Sequence, residues 1–411
     1  MKKSCIFIVF LLAGPLFAQK IVENGRQPSG KAKTLLLKED LRFGTDEEGE
    51  EYLWAISSVK IVPDKRGHMF IPDQKERRIL EFDANGKYVA TVAKGGNGPG
   101  ELQGILALDI LADGHWVALD GPAMGMPKIK TFSDEFKYLD EKLPVGFGLV
   151  PFNIDFSPKG DVLSAAYASF DQSAGKLLIK NGILSKDLEV VHEIWSAEQK
   201  MPNFGNLQNN DWAKLIAERL KLFYKGIGYG VFDAEGNVYT AVGERYEITK
   251  WTPDMKTKTM VIKRQYKPIA NSPEHLRGYV DFLVESMSLA PAFQDMINTQ
   301  TMERALTLSE PPVTKQPIFG LIPMEDGGLM VIHDFDMGTR ICVGDLFDRE
   351  GKFIGQVTVP DYGLMSHDLG QFRPRMLFRN GFAYTILTDD EGDHRAVRYD
   401  YSLVDADSVG Q

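Results

Sequence analysis

The chain has 411 residues, 47 of them basic and 57 acidic, with a net charge of −10 at pH 7. That balance argues against nucleic acid or an anionic membrane surface as partner. Two cysteines cannot build a disulfide framework, so a buried core must hold the fold, and the length is ample for one.

Lys2 and Lys3 precede an apolar run from Cys5 to Phe17, followed by Ala18 and Gln19. The pattern predicts a secretory signal peptide over residues 1–18 and an exported protein, periplasmic or extracellular. The run is short and broken by Gly14-Pro15, which argues against a membrane span. Cys5 lies at its start rather than just after it, so lipidation is not expected. Cleavage would leave Cys342, in the strand pattern TRICVGDLF, as the mature chain's single thiol and 45 basic residues against 57 acidic ones.

Residues 19–32 read as a linker. KTLLLKED (Lys33–Asp40) is the strand pattern ahead of the first repeat. From Pro63 onward a turn recurs, a Gly three to five residues into a polar stretch and followed by a β-rich run: PDKRGHMFI, LADGHWVAL, SPKGDVLSA, FDAEGNVYTAV, PMEDGGLMVI and FRNGFAYTIL. Glycine supplies the positive φ of a tight hairpin flanked by alternating apolar residues. Gly67, Gly114, Gly160, Gly236, Gly327 and Gly381 are separated by 47, 46, 76, 91 and 54 residues, which gives six units, two preceded by insertions. In most units a second hairpin follows, as in RILEFDANGKYVATV and VGDLFDREGKFIGQV. Four strands per unit of forty to fifty residues describes a propeller blade.

With GNGPGEL (Gly96–Leu102) after the first unit, the chain resembles the NHL-repeat-like family of six-bladed β-propellers, in a bacterial exported form. The resemblance covers roughly Ser57 to Leu403. It implies an all-β fold, a single propeller over residues 33–405, and a C-terminal tail at 406–411. The last unit lacks its fourth strand, and Lys33–Asp40 is expected to supply it by pairing with HRAVRYDYSL (His394–Leu403), closing the ring.

Helical insertions are expected at 196–226 and 267–316. Trp212, Leu215, Ile216, Leu220 and Phe223 stand at helical spacing within Asn210–Tyr224. Ser272-Pro273-Glu274 reads as an N-cap, a first-turn proline and an early acid, ahead of the stripe Leu276, Tyr279, Val280, Leu283, Val284 and Met287. A further helix is expected over Pro291–Leu306.

Strand order puts the inter-blade loops at one end of the ring: GNGPGEL, both insertions and the acidic Thr45–Glu51. A ligand pocket is expected at the channel mouth there. Its candidate residues begin innermost strands: Glu101, Asn153, Tyr229, Arg373 and Arg375, the two arginines able to clamp a carboxylate or phosphate. Gly98, Pro99 and Gly100 are expected to shape backbone rather than touch ligand. Asp73, Asp120, Asp334 and Asp389, near the ends of second strands, are expected to accept backbone N–H bonds at turns. None of the seven histidines forms HxxxH or HxH, so no local metal signature exists. No Gly-x-Ser-x-Gly elbow appears either.

The expected function is therefore non-catalytic: binding of a small ligand, a glycan or peptide, or a protein partner at the channel mouth. The alternative is a metal-assisted hydrolase or lyase of the lactonase or peptide-amidating-lyase kind, with a divalent cation at the channel held by Glu101, Asn153 and Asp109. No other cofactor is indicated.

Overall fold

The computed structural model describes residues 19–44, 53, 60–121, 126–143, 150–171, 175–200, 209–224, 226–278, 280, 298–336, 341–359, 365–368, 371–388 and 394–409. The expected signal peptide and the acidic loop Thr45–Glu51 lie outside these residues, as does Asp389.

The architecture is all-β and propeller-like. Strands β1 (Lys20–Asn24) and β2 (Lys33–Phe43) open the chain. Four antiparallel blades follow in chain order. They are β3–β6 (Val62–Pro63, Met69–Asp73, Arg78–Phe82, Tyr88–Ala93), β7–β10 (Ile105–Ile110, Trp116–Asp120, Lys128–Phe132, Tyr138–Lys142), β11–β14 (Val150–Phe156, Val162–Asp171, Lys176–Ser185, Val190–Lys200) and β15–β18 (Gly228–Phe232, Val238–Val242, Glu247–Trp251, Lys258–Arg264). Next come β19–β22 (Gly320–Pro323, Leu329–Asp336, Ile341–Phe347, Phe353–Val359), the hairpin β23–β24 (Met365–Asp368, Gln371–Pro374), and β25–β27 (Leu377–Arg379, Phe382–Thr388, His394–Asp405).

The repeating turn carries this order. All six of its glycines take positive φ, from +69° at Gly160 to +93° at Gly114, a region costly for a residue with a Cβ. The aspartates of these turns bond the next backbone N–H groups: Asp64 Oδ1 accepts from Arg66 and His68, and Asp233 Oδ1 from Glu235 and Asn237.

The expectation of six separate blades needs correction. Four blades are separate, while β19–β22, β2 and β27–β25 form one eight-stranded sheet in the order β19-β20-β21-β22-β2-β27-β26-β25. The cause is the closing strand. β2 pairs antiparallel with β27 through Leu35↔Leu403 and Phe43↔Ala396, the partner expected from sequence. On its other side Lys33 pairs in parallel with Gly355 of β22. A Cβ on Gly355 would lie 1.8 Å from the Lys33 carbonyl oxygen, so glycine there lets the two strands merge.

Residues 20–24, expected as linker, form β1, which adds in parallel to the outer strand β18. Its anchor is a side chain. Asn24 Nδ2 donates to the carbonyls of Lys263 and Gly351, and its Oδ1 accepts from Phe353 N–H, tying two sheets together.

Apolar seams bind neighbouring strand sets around the ring. Met69, Ile71 and Leu80 meet Tyr384 and Ile386, and Phe70 and Ile79 meet Trp116 and Phe132. Leu119 meets Phe156 and Leu163, and Ile183 meets Val238. Ile248 and Ile262 meet Leu329 and Phe347, and Met330 and Leu346 meet Phe378 and Ala383. Each fully buried large side chain contributes roughly 1.5–3 kcal/mol. Trp116 adds ring contacts, at 4.3 Å to Phe70 and 4.7 Å to Phe136.

Helix α1 (Asn209–Tyr224) forms where expected, but its insertion starts later than residue 196, because β13 and β14 stay paired out to Lys176↔Lys200. Residues 273–278 are helical, and the Ser272 hydroxyl oxygen accepts from His275 N–H, as an N-cap should. Helix α2 runs over Thr299–Ser309 rather than Pro291–Leu306, its start fixed by Asn298, whose Oδ1 accepts from Thr301 N–H. Trp212, Ile216 and Leu220 of α1 join Met302 and Ala305 of α2 in the last seam. Leu283, Val284, Met287 and residues 291–297 lie outside the described residues. Among the described residues no helix is long and apolar enough to cross a membrane.

Candidate functional site

The first strand of each set, β3, β7, β11, β15, β19 and β25, contributes to the wall of one central cavity of 360 Å³. Leu108, Ile110, Ile154, Val231, Ile322 and Phe378 give it apolar surface. The polar lining concentrates where first strands end and their turns begin.

Two ion pairs there join sets that are not neighbours in the chain. Lys60 Nζ, just before β3, lies 2.6 Å from Asp155 Oδ1 of β11. Arg379 of β25 lies 3.4 Å from Asp109 Oδ1 of β7. All four side chains keep roughly a quarter of their surface exposed, so solvent screens both pairs. A belt of turn-to-turn bonds surrounds them. Lys65 Nζ donates to Ala112 O, Ala112 N–H to Pro158 O, and Asn380 Nδ2 to Asp64 O. The Glu325 carboxylate accepts from Asn380 and Gly381 N–H at 2.8 and 2.7 Å. Asp64 pairs with Arg66 and Asp233 with Lys250.

Of the residues expected from sequence, Tyr229 lines this cavity. Its hydroxyl is buried beside the Gln316 side chain, and burial pushes its pKa up. Glu101 does not line it. Its Oε2 accepts from Gly98 N–H at 2.7 Å, so the carboxylate is satisfied inside its own loop. In the same loop Gly100 takes φ +79°, and a Cβ there would lie 2.9 Å from Tyr138 Cβ. Asn153 sits in β11 opposite Ala166 and Arg373 in β24 opposite Ser366, but their side chains lie outside the described residues. Arg375 follows β24 partly buried, its pKa pushed down to about 10 by desolvation.

Of the metal-site trio expected from sequence, the Asn153 side chain lies outside the described residues. Asp109 faces Arg379, and Glu101 is turned into its loop. Among the described residues no group of three or more His, Cys, Asp or Glu side chains could hold a metal ion. His68 and His115 pair with Glu81 and Asp113, and His333 Nδ1 lies 3.0 Å from Pro317 O. Asp120 Oδ1 accepts from Gln103 and Gly104 N–H, the turn role expected of it, and Asp73 accepts from Glu76 N–H. Asp334 instead pairs with the buried Lys315.

Lys60, Asp155, Arg379 and Asn181 also line the cavity and were not among the residues expected from sequence. A signal existed. Asp109 and Asp155 each stand five residues before their turn glycine, where the other units carry Val62, Val231, Ile322 and Met376. A carboxylate at an otherwise apolar register of the innermost strand marks a polar channel wall.

The chain matches no protein-family model and no curated protein. Among solved structures it is similar to a protein named as exported from Bacteroides fragilis, at 12% identity and TM-score 0.49, over 94% of this chain and 100% of that one. A member of the DUF4221 family from Bacteroides vulgatus aligns at 9% identity and TM-score 0.47, over 92% and 100%. A virginiamycin B lyase from Staphylococcus aureus aligns at 10% identity and TM-score 0.38, over 89% and 99%. At such identities the likeness concerns the path of the chain.

Proposed function

We propose that this is an exported, six-bladed, NHL-like propeller that binds a small ligand in its central channel without transforming it. Counting the eight-stranded sheet as two four-stranded blades, β19–β22 and β2 with β25–β27, gives the six. The observation that carries the binding reading is the convergence of six first strands on one 360 Å³ cavity with mixed apolar and polar walls. That volume falls within the roughly 300–1,000 Å³ typical of small-molecule sites. Export rests on the charged and apolar N-terminal run, and sequencing of the secreted chain should begin at Gln19.

The test of binding is a thermal-shift panel of neutral sugars, carboxylates and short peptides, run on the full chain and on Leu106→Trp, which fills the cavity from β7. Stabilisation by a panel member that Leu106→Trp abolishes is expected. Stabilisation that survives the filled channel would place binding elsewhere.

A further inference from the structure

The two ion pairs of the channel wall join strand sets that are not neighbours, and in a ring such a contact runs across the central space. The set β3–β6 stands between β25–β27 and β7–β10, through the seams of Ile71 with Tyr384 and of Phe70 with Trp116. Arg379 of β25 nevertheless reaches Asp109 of β7. Lys60 likewise reaches Asp155 of β11 past the set β7–β10. All four residues line the cavity, and the Arg379 and Asp109 side chains are 31% and 26% exposed.

The two pairs are not equally closed. Lys60 Nζ lies 2.6 Å from Asp155 Oδ1, a tight charge-assisted bond. Arg379 approaches Asp109 with Nη1 and Nη2, both 3.4 Å from the same Oδ1, which also accepts from Ile110 N–H at 2.8 Å. Among the described residues Asp109 Oδ2 and Arg379 Nε carry no hydrogen bond. Other acids of the lining are taken up by their own turns. Asp64 and Asp233 hold backbone N–H groups together with Arg66 and Lys250, and Glu325 holds Asn380 and Gly381 N–H. The cavity thus presents a guanidinium and a carboxylate side by side, each with an open edge.

We infer that the channel takes an apolar α-amino acid, its carboxylate on Arg379 and its ammonium on Asp109. This rests on the channel-binding reading above. An α-amino acid bears both charged groups on one carbon, so its head matches a cation and an anion that stand in contact. Laid antiparallel to the pair, the ligand carboxylate accepts from the guanidinium while the ammonium donates to Asp109 Oδ2, and no charge is left alone. A lone anion at Arg379 would stand against Asp109, and a lone cation at Asp109 against Arg379. The apolar lining, Ile154 and Ile322 included, receives the ligand's side chain.

Three probes with one apolar branch test it by calorimetric titration of the full chain: leucine, isocaproate, which lacks the ammonium, and isoamylamine, which lacks the carboxylate. Leucine should bind saturably and the two single-charge probes at least about tenfold more weakly. Arg379→Gln and Asp109→Asn should each weaken leucine at least about tenfold, and Leu106→Trp should abolish its binding. The pair is partly exposed and Asp109→Asn keeps the side chain's shape, so the free variants should melt close to the parent. Should either single-charge probe bind as tightly as leucine and lose its binding in Leu106→Trp, the amino-acid inference is overturned while channel binding stands. Leucine binding indifferent to both pair substitutions overturns it as well. Silence from leucine does the same, and the wider panel then decides whether the channel binds anything.

Discussion

Two polar clusters in this molecule use the same residue types in opposite ways. Between β18 and β21, Asp345 is wholly buried and accepts from the Tyr246 hydroxyl, the Arg264 guanidinium and, at 2.7 Å, Gln356 Nε2. Arg264 lies over the Phe353 ring at 3.9 Å, and burial beside Asp345 drives the Tyr246 pKa well up. This cluster is sealed inside a seam, and both carboxylate oxygens are taken. In the channel the ion pairs are partly exposed. The contrast is one of burial: in the seam the carboxylate is closed off from solvent, and along the channel the carboxylates stay within its reach.

The sharpest way to break that contrast is to remove one buried charge. Asp345→Ala leaves Arg264 buried without its counter-ion and should cost about 3–5 kcal/mol in denaturant unfolding. A loss under 1 kcal/mol would show that the seam does not depend on the pair.

Acid probes the second buried cluster. His275 packs beside Lys315, Asp334 and Asp336, and burial lowers its pKa from 6.5 to about 4. The unfolded chain then binds the proton more readily between those values, so stability falls as pH drops from 6.5 to 4 and levels off below. The full difference is about 3 kcal/mol. In His275→Gln that part of the acid limb should vanish relative to the parent, and an unchanged limb would contradict the assignment.

The smallest effect belongs to the channel. Lys60→Met breaks a partly exposed pair and should shift stability by less than about 1 kcal/mol. A loss as large as that of Asp345→Ala would mean that the channel pairs are structural glue too.

Much of the fold was legible because its signals are local. A glycine at positive φ and an aspartate over the following N–H groups can be read from one turn at a time, and α1 from its apolar spacing. The partner of β2 was legible because the last unit lacked a strand. What escaped depends on distant chain. β1 is a strand because Asn24 reaches Gly351 and Phe353, and β19–β22 merge with β2 and β25–β27 because Gly355 lets Lys33 approach. The channel-lining carboxylates escaped for a related reason. A carboxylate next to a glycine-rich loop finds N–H donors at home, as Glu101 does with Gly98. Asp109 and Asp155 find their partners only once the ring has closed.

Binding in the channel is tested most directly by the isoleucine methyl spectrum of the full chain, recorded while the sugars, carboxylates and short peptides of the thermal-shift panel are added in turn. Ile110, Ile154, Ile227 and Ile322 line the cavity, whereas Ile71, Ile79 and Ile248 lie in the seams away from it. The account predicts saturable shifts at the first four and none at the last three. Shifts confined to the seams, or a spectrum that does not move, would contradict it.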